Sequence, residues 1–114
     1  MAEPIIEHTQ FKRSDLLKLS GRFDSSQAPR VEAQLNDLMN QGRYHFVLDM
    51  SDMEFISSGV LRVLLSTRKQ LRRWNRGDVY LAAVPERIAD VLGLAGMTSI
   101  FKIYDNTTDA VGDW

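Results

Sequence analysis

The chain contains no cysteine, so disulfides, thiol nucleophiles and thiolate metal sites are all excluded. Its two histidines, His8 and His45, lie far apart and form no HExxH-type pair, which argues against a metal centre or an imidazole base. No apolar run approaches the roughly 18 residues that a membrane span requires. The opening MAEPIIEHTQ carries acids and lacks an apolar signal core, so the expected location is the cytoplasm, with no export signal and no membrane partner. The seven glycines, at 21, 42, 59, 77, 93, 96 and 112, form neither a GxGxxG nor a GxxxxGK[ST] loop. No nucleotide pocket or other cofactor is therefore expected. The formal net charge is −1, which gives no bulk electrostatic case for nucleic acid.

What is present is an ordinary globular balance, 44% hydrophobic and 25% charged over 114 residues, enough for one domain spanning 1–114 with a real core. Residues 4–10 and 14–23 read as two strands joined by a polar turn, with Gly21 marking a bend or a close backbone contact. Residues 25–41 carry Ala28, Val31, Leu35, Leu38 and Met39 at helical spacing, with Asp24, Ser25 and Ser26 as caps and Pro29 in the first turn. YHFVLDM (44–50) is apolar nearly throughout, as a strand covered on both faces should be. An acidic loop follows, then a helix from Ser58 to about Trp74, ended by Gly77. A strand at 78–84, a helix at 86–95 begun by Pro85, a strand at 99–104 and a short helix capped by Asn106 or Thr107 complete the chain. The order ββαβαβαβα predicts an α/β domain with a mixed, mostly parallel sheet of about five strands and about four helices.

The serines at the start of the long helix carry the functional question. A hydroxyl there is either a cap or a place to put an anion. Asp49 and Asp52 are explained by loop hydrogen bonds, since no third ligand stands at a useful spacing. Arg72, Arg73 and Arg76 fall in the last turn, where cations offset the helix dipole, a cheaper account than an RNA patch. Trp74, Phe101 and Trp114 read as packing residues. No activating base or oxyanion arrangement can be named around the serines, so an enzyme is not expected.

Three segments resemble the STAS family, the fold of bacterial anti-sigma factor antagonists. LSGRFDSSQAPRVEAQL is similar to the family's entry into its first helix, VLDMSDMEFISSGVLRVLL to its central strand, loop and helix, and LGLAGMTSIFKIYDNTTDAV to its C-terminal signature. The resemblance covers nearly the whole chain. It implies a binding module whose serine, at the start of the second helix, is phosphorylated by an anti-sigma factor with serine kinase activity and reset by a phosphatase. The unmodified form would bind that anti-sigma factor and free a sigma factor. Aligned on Asp49, Phe55 and Leu61, the family's usual aspartate, serine, serine, glycine become Ser57, Ser58, Gly59 and Val60. The usual acceptor position thus holds Gly59, and the expected acceptor becomes Ser58, with Ser57 as the alternative. The expected partner surface comprises Asp24, Ser25, Ser57, Ser58, Gly59 and Arg62. A glycine at 59 would permit close approach of another backbone or simply loosen the helix start. The rival function within the family is a non-phosphorylated scaffold subunit of a signalling or transport assembly.

Overall fold

The computed structural model describes residues 3–114. Among them the chain forms six strands and four α-helices. Strands β1 (Ile5–Gln10) and β2 (Asp15–Phe23) make an antiparallel hairpin. All other pairings are parallel: β3 (His45–Asp49) lies on β2, β5 (Asp78–Ala82) on β3, and β6 (Lys102–Tyr104) on β5. The helices are α1 (Ala28–Asn40), α2 (Ser58–Trp74), α3 (Glu86–Leu94) and α4 (Thr107–Gly112).

The remaining strand, β4 (Met53–Ile56), occupies a segment expected to be loop. Only Met53 and Ile56 point inward, while Glu54 and Phe55 are exposed. Four residues with that spacing give no period-two alternation, which is the signal a half-buried strand leaves in a sequence. Its order comes from tertiary pairing: β4 runs parallel to Gly21–Phe23, the far half of β2, while the near half, Asp15–Lys18, pairs with β3. The register shifts between Gly21 and Arg22. Gly21 has φ 97° and its N–H donates to the Asp52 carbonyl at 3.0 Å. The bend expected at this glycine is therefore a break that lets one strand serve two partners along the same edge.

Alternation along the central strands builds two cores. Leu17, Leu19, Phe46, Leu48, Val79 and Leu81 face one way, into a buried cluster with residues of α1, α2 and α3. Val47, Tyr80 and Ala82 face the other way, against Ala110 of α4. Trp114 covers that second face, its ring stacked 4.1 Å from both His45 and Tyr80. The hairpin is tied to the α1–β3 loop by a buried charge. Asp15 pairs with Arg43 at 2.6 Å and with His8 at 2.7 Å, and Arg43 also donates to the carbonyls of Phe11 and Ser14.

Two helix boundaries differ from expectation. The first helical segment begins as a 3₁₀ turn, Ser25–Gln27, before α1 takes over. The α2 helix is closed by Asn75 in the left-handed conformation, φ 55°, and not by Gly77. The glycine at 77 answers a different demand: a Cβ there would lie 1.9 Å from the Tyr44 carbonyl oxygen.

Gly21→Ala forces an L-residue into left-handed backbone, costing about 1–2 kcal/mol. A chemical-denaturation midpoint that moves down by that amount, with an unchanged slope, is the expected result.

Candidate functional site at the start of the second helix

The end of β2 and the start of α2 are held together through Ser57. Its backbone is extended, with φ −87° and ψ 162°, as an N-cap requires. Its N–H donates to the Phe23 carbonyl at 2.9 Å, its carbonyl accepts from the Leu61 N–H at 3.1 Å, and its Oγ accepts from the Val60 N–H at 3.2 Å. The residue is only 8% exposed. Ser57 is thus a cap whose hydroxyl is already engaged. Ser58, the first residue of α2, is exposed. The N–H groups of Ser58 and Gly59 stand in the first turn, where an α-helix offers no internal acceptor.

Asp24 follows directly from Phe23 and starts the 3₁₀ turn. Its Oδ1 accepts from the Ser26 N–H at 3.0 Å and from the Ser26 hydroxyl at 2.5 Å. Those two bonds, the side-chain one first, hold the Asp24 carboxyl below its ordinary range. The turn lies against the helix start. A Cβ on Gly59 would sit 3.4 Å from Ser25 Oγ and 3.7 Å from the Ala28 Cβ. The close neighbours of Gly59 are therefore side chains of this same chain. A methyl group fits there at ordinary contact distance, whereas a larger group would have to displace Ser25.

Five of the six expected surface residues, Asp24, Ser25, Ser57, Ser58 and Gly59, thus converge on one corner. Arg62 is exposed four residues beyond Ser58, on the same helical face. The sequence did not single out Phe55, which is 37% exposed beside this corner, with the Arg22 guanidinium 4.6 Å above its ring. Its only signal was an aromatic among acids; the pairing of β4 that turns it outward is not a local property. Asp49 accepts from the Ser51 N–H at 2.9 Å, and Asp52 pairs with Lys18 at 3.0 Å. Asp49 makes the expected loop hydrogen bond, whereas Asp52 forms an ion pair with a strand residue, Lys18 of β2. His8 and His45 lie elsewhere, on Asp15 and between the Arg13 and Arg76 carbonyls.

This arrangement offers recognition surface: an open helix N-terminus, an exposed hydroxyl, a fixed carboxylate and a nearby guanidinium, set on a rigid α/β domain. Residues 7–110 match the STAS domain family, and the chain belongs to that family. It is 34% identical over 85 residues, 75% of its length and 72% of the relative's, to BtrV of Bordetella bronchiseptica, a candidate anti-sigma factor antagonist. A candidate anti-sigma factor antagonist of Thermotoga maritima has a crystal structure that superposes with a TM-score of 0.87 at 24% identity, covering 95% of this chain and 92% of that one. The Bacillus cell fate determinant SpoIIAA, solved in its phosphorylated form, matches at a TM-score of 0.76 and 14% identity over 96% of this chain and 98% of its own. The chain is thus similar to regulatory binding proteins, and no helix among the described residues is long and apolar enough to cross a membrane.

Removing the Ser57 hydroxyl strips the α2 cap, so Ser57→Ala is expected to lower stability by about 1 kcal/mol. Ser58→Ala, at an exposed position, should stay within about 0.5 kcal/mol of the parent in the same denaturation experiment. The Asp24 carboxyl should titrate below 3.8 in a carbon-detected NMR titration. Its folded-state value is depressed, so the contribution of the turn is present above the unfolded value and lost as pH falls through the folded one. A midpoint at or above 3.8 would mean that Ser26 does not hold the carboxylate in solution.

Proposed function

We propose that this protein is a phosphorylation-switchable regulator that binds an anti-sigma factor through the Asp24 turn and the start of α2, and thereby frees a sigma factor. Ser58 is the acceptor. The observation that carries this reading is the division of roles between adjacent serines: Ser57 is buried and consumed as the cap, while Ser58 is exposed at the same helix end. The anti-sigma factor supplies the kinase activity and the ATP site, and a phosphatase resets the switch. The protein itself works in the cytoplasm, by binding and without catalysis of its own.

The physics of such a switch is local. Unmodified, the corner presents Ser58 and Arg62, with the Asp24 turn packed against Gly59, to a close-fitting partner. A phosphate on Ser58 brings nearly two negative charges to the helix N-terminus, where free N–H groups and the dipole stabilise it. Arg62, one turn on, is placed to pair with it. The added charge stands beside Asp24, whose carboxylate is already fixed by Ser26. An acidic partner surface would then be repelled, and any tight contact at Gly59 would be blocked by the bulk of the phosphate.

The test is incubation with a kinase-type anti-sigma factor of the same organism, plus ATP, followed by intact-mass measurement and peptide mapping. One phosphate per chain is expected on Ser58. Ser57→Ala should still be modified and Ser58→Ala should not, while Ser58→Asp should weaken binding to the anti-sigma factor at least tenfold. No mass gain with a kinase shown to be active on another substrate would overturn the switch and leave the scaffold role.

A further inference from the structure

The end of the molecule away from the candidate site carries a different kind of surface. The α2 helix is 17 residues long, so its C-terminus lies about 25 Å from its start. Around that C-terminus the fold gathers basic residues that are distant in sequence. The Lys12–Arg13 turn of the hairpin lines one cleft with Arg43, Tyr44, His45 and Arg76, of about 270 Å³. A second cleft, of about 360 Å³, shares His45 and Arg76 with it and adds Arg72, Asp78, Tyr80 and Trp114 among others. A third, of about 350 Å³, is lined by Lys69, Arg73 and Trp74 among others. Trp74 packs edge-on against Tyr44, 6.0 Å between centroids, which joins the third cleft to the first.

Some of these cations have structural partners. Arg43 holds buried Asp15, and Arg68 and Arg72 hold Asp78 at 3.2 and 3.3 Å. Lys12, Arg13, Lys69, Arg73 and Arg76 are exposed and have no carboxylate partner among the described residues. Offsetting a helix dipole requires charge in the last turn of α2. It does not account for Lys12 and Arg13, which come from another element and line one cleft with Arg76. The acids near the helix start are several Debye lengths away at physiological salt, about 8 Å each, and the two buried carboxylates at this pole, Asp15 and Asp78, are already paired with Arg43, Arg68 and Arg72. The overall charge of −1 therefore misrepresents it.

We propose that this basic pole binds single-stranded RNA. Beside these cations Trp74 is 43% exposed, a ring on which a base can stack between phosphate contacts, as a strand of alternating phosphates and planar bases requires. An acidic protein segment would use the cations and leave the exposed Trp74 ring without a role. The surface is separate from the Ser58 corner, so the proposal does not depend on the anti-sigma reading.

The probe is a fluorescently labelled, roughly twelve-nucleotide single-stranded RNA of mixed sequence, followed by anisotropy with the intact protein. Binding with Kd on the order of 10 µM is expected at low salt. If all five free cations contribute, affinity should fall about a hundredfold between about 50 and 200 mM salt. Arg73→Glu with Arg76→Glu should weaken binding at least tenfold, whereas Arg87→Glu, outside the clefts, should change it less than twofold. Amide shift mapping on the unmodified protein gives a readout independent of any variant: RNA should move Gly42–His45 and Lys69–Gly77. No binding at low salt would overturn the proposal. So would shifts centred on the α2 N-terminus, or equal competition by a polyglutamate peptide or by anionic vesicles.

Discussion

The structure depends on one break in one strand. β2 is nine residues long and must pair with two strands along the same edge, β3 over its first half and β4 over its last three residues. The pairing changes register between Gly21 and Arg22, where Glu54 of β4 is left without a partner on β2, and Gly21 has φ 97°. The consequence reaches past the sheet. β4 delivers the chain to Ser57, whose N–H bonds the last carbonyl of β2. The next residue of the other segment is Asp24, which begins the 3₁₀ turn. Both halves of the candidate site therefore hang from the end of β2, which is why residues 24–25 and 57–59 meet although more than thirty positions separate them.

Charge is distributed by the same architecture. Parallel strands and the long helix give the domain two ends, one receiving helix N-termini and one receiving the C-terminus of α2. The two carboxylates near the second end, Asp15 and Asp78, are buried, and each is held by two side chains. A buried carboxylate that lost its cations would be costly, so these pairs fix the hairpin and α2 to the sheet more than they add net stability. The cations left over are free to face solvent or a partner. At the first end, the Asp24 carboxylate is satisfied by Ser26 and remains exposed. The domain is near neutral in sum and polar along its length.

Much of the fold was legible because its signals are local. The stripe Val31, Leu35, Leu38 and the run Phe46, Val47, Leu48 carry their periods openly, and Pro29 and Asn106 stand where a helix start needs them. β4 was not legible, because its strand character resides in the edge of β2. The helix stop falls at Asn75 instead of Gly77 for a similar reason: a stop can be read from composition, but the demand at 77 comes from the Tyr44 carbonyl, far away in sequence. The candidate corner was readable as residue types, since serines before an apolar periodic run point to a helix start. Which serine is the cap was not readable, because that depends on where the Phe23 carbonyl lies. The basic pole was hidden for the same cause. Arg72, Arg73 and Arg76 alone are a helix end; with Lys12 and Arg13 across a cleft they become a surface.

The placement of Gly59 follows from these contacts. A cap residue is extended, and its side-chain oxygen faces the second or third N–H of the helix. Ser57 meets all of these conditions, so its oxygen cannot also receive a phosphoryl group without uncapping α2. A side chain at 59 would be aimed at Ser25, 3.4 Å from its Oγ, so a group larger than methyl would have to displace that residue. Position 58 avoids both conflicts: it is solvent-exposed, lies within the first turn and sits one turn below Arg62. Under the proposed switch, the shift of the acceptor by one residue is therefore a consequence of how this chain packs its 3₁₀ turn against α2. With the turn pressed against a bare glycine, the paired serines differ in their surroundings: Ser57 is the buried cap and Ser58 is exposed.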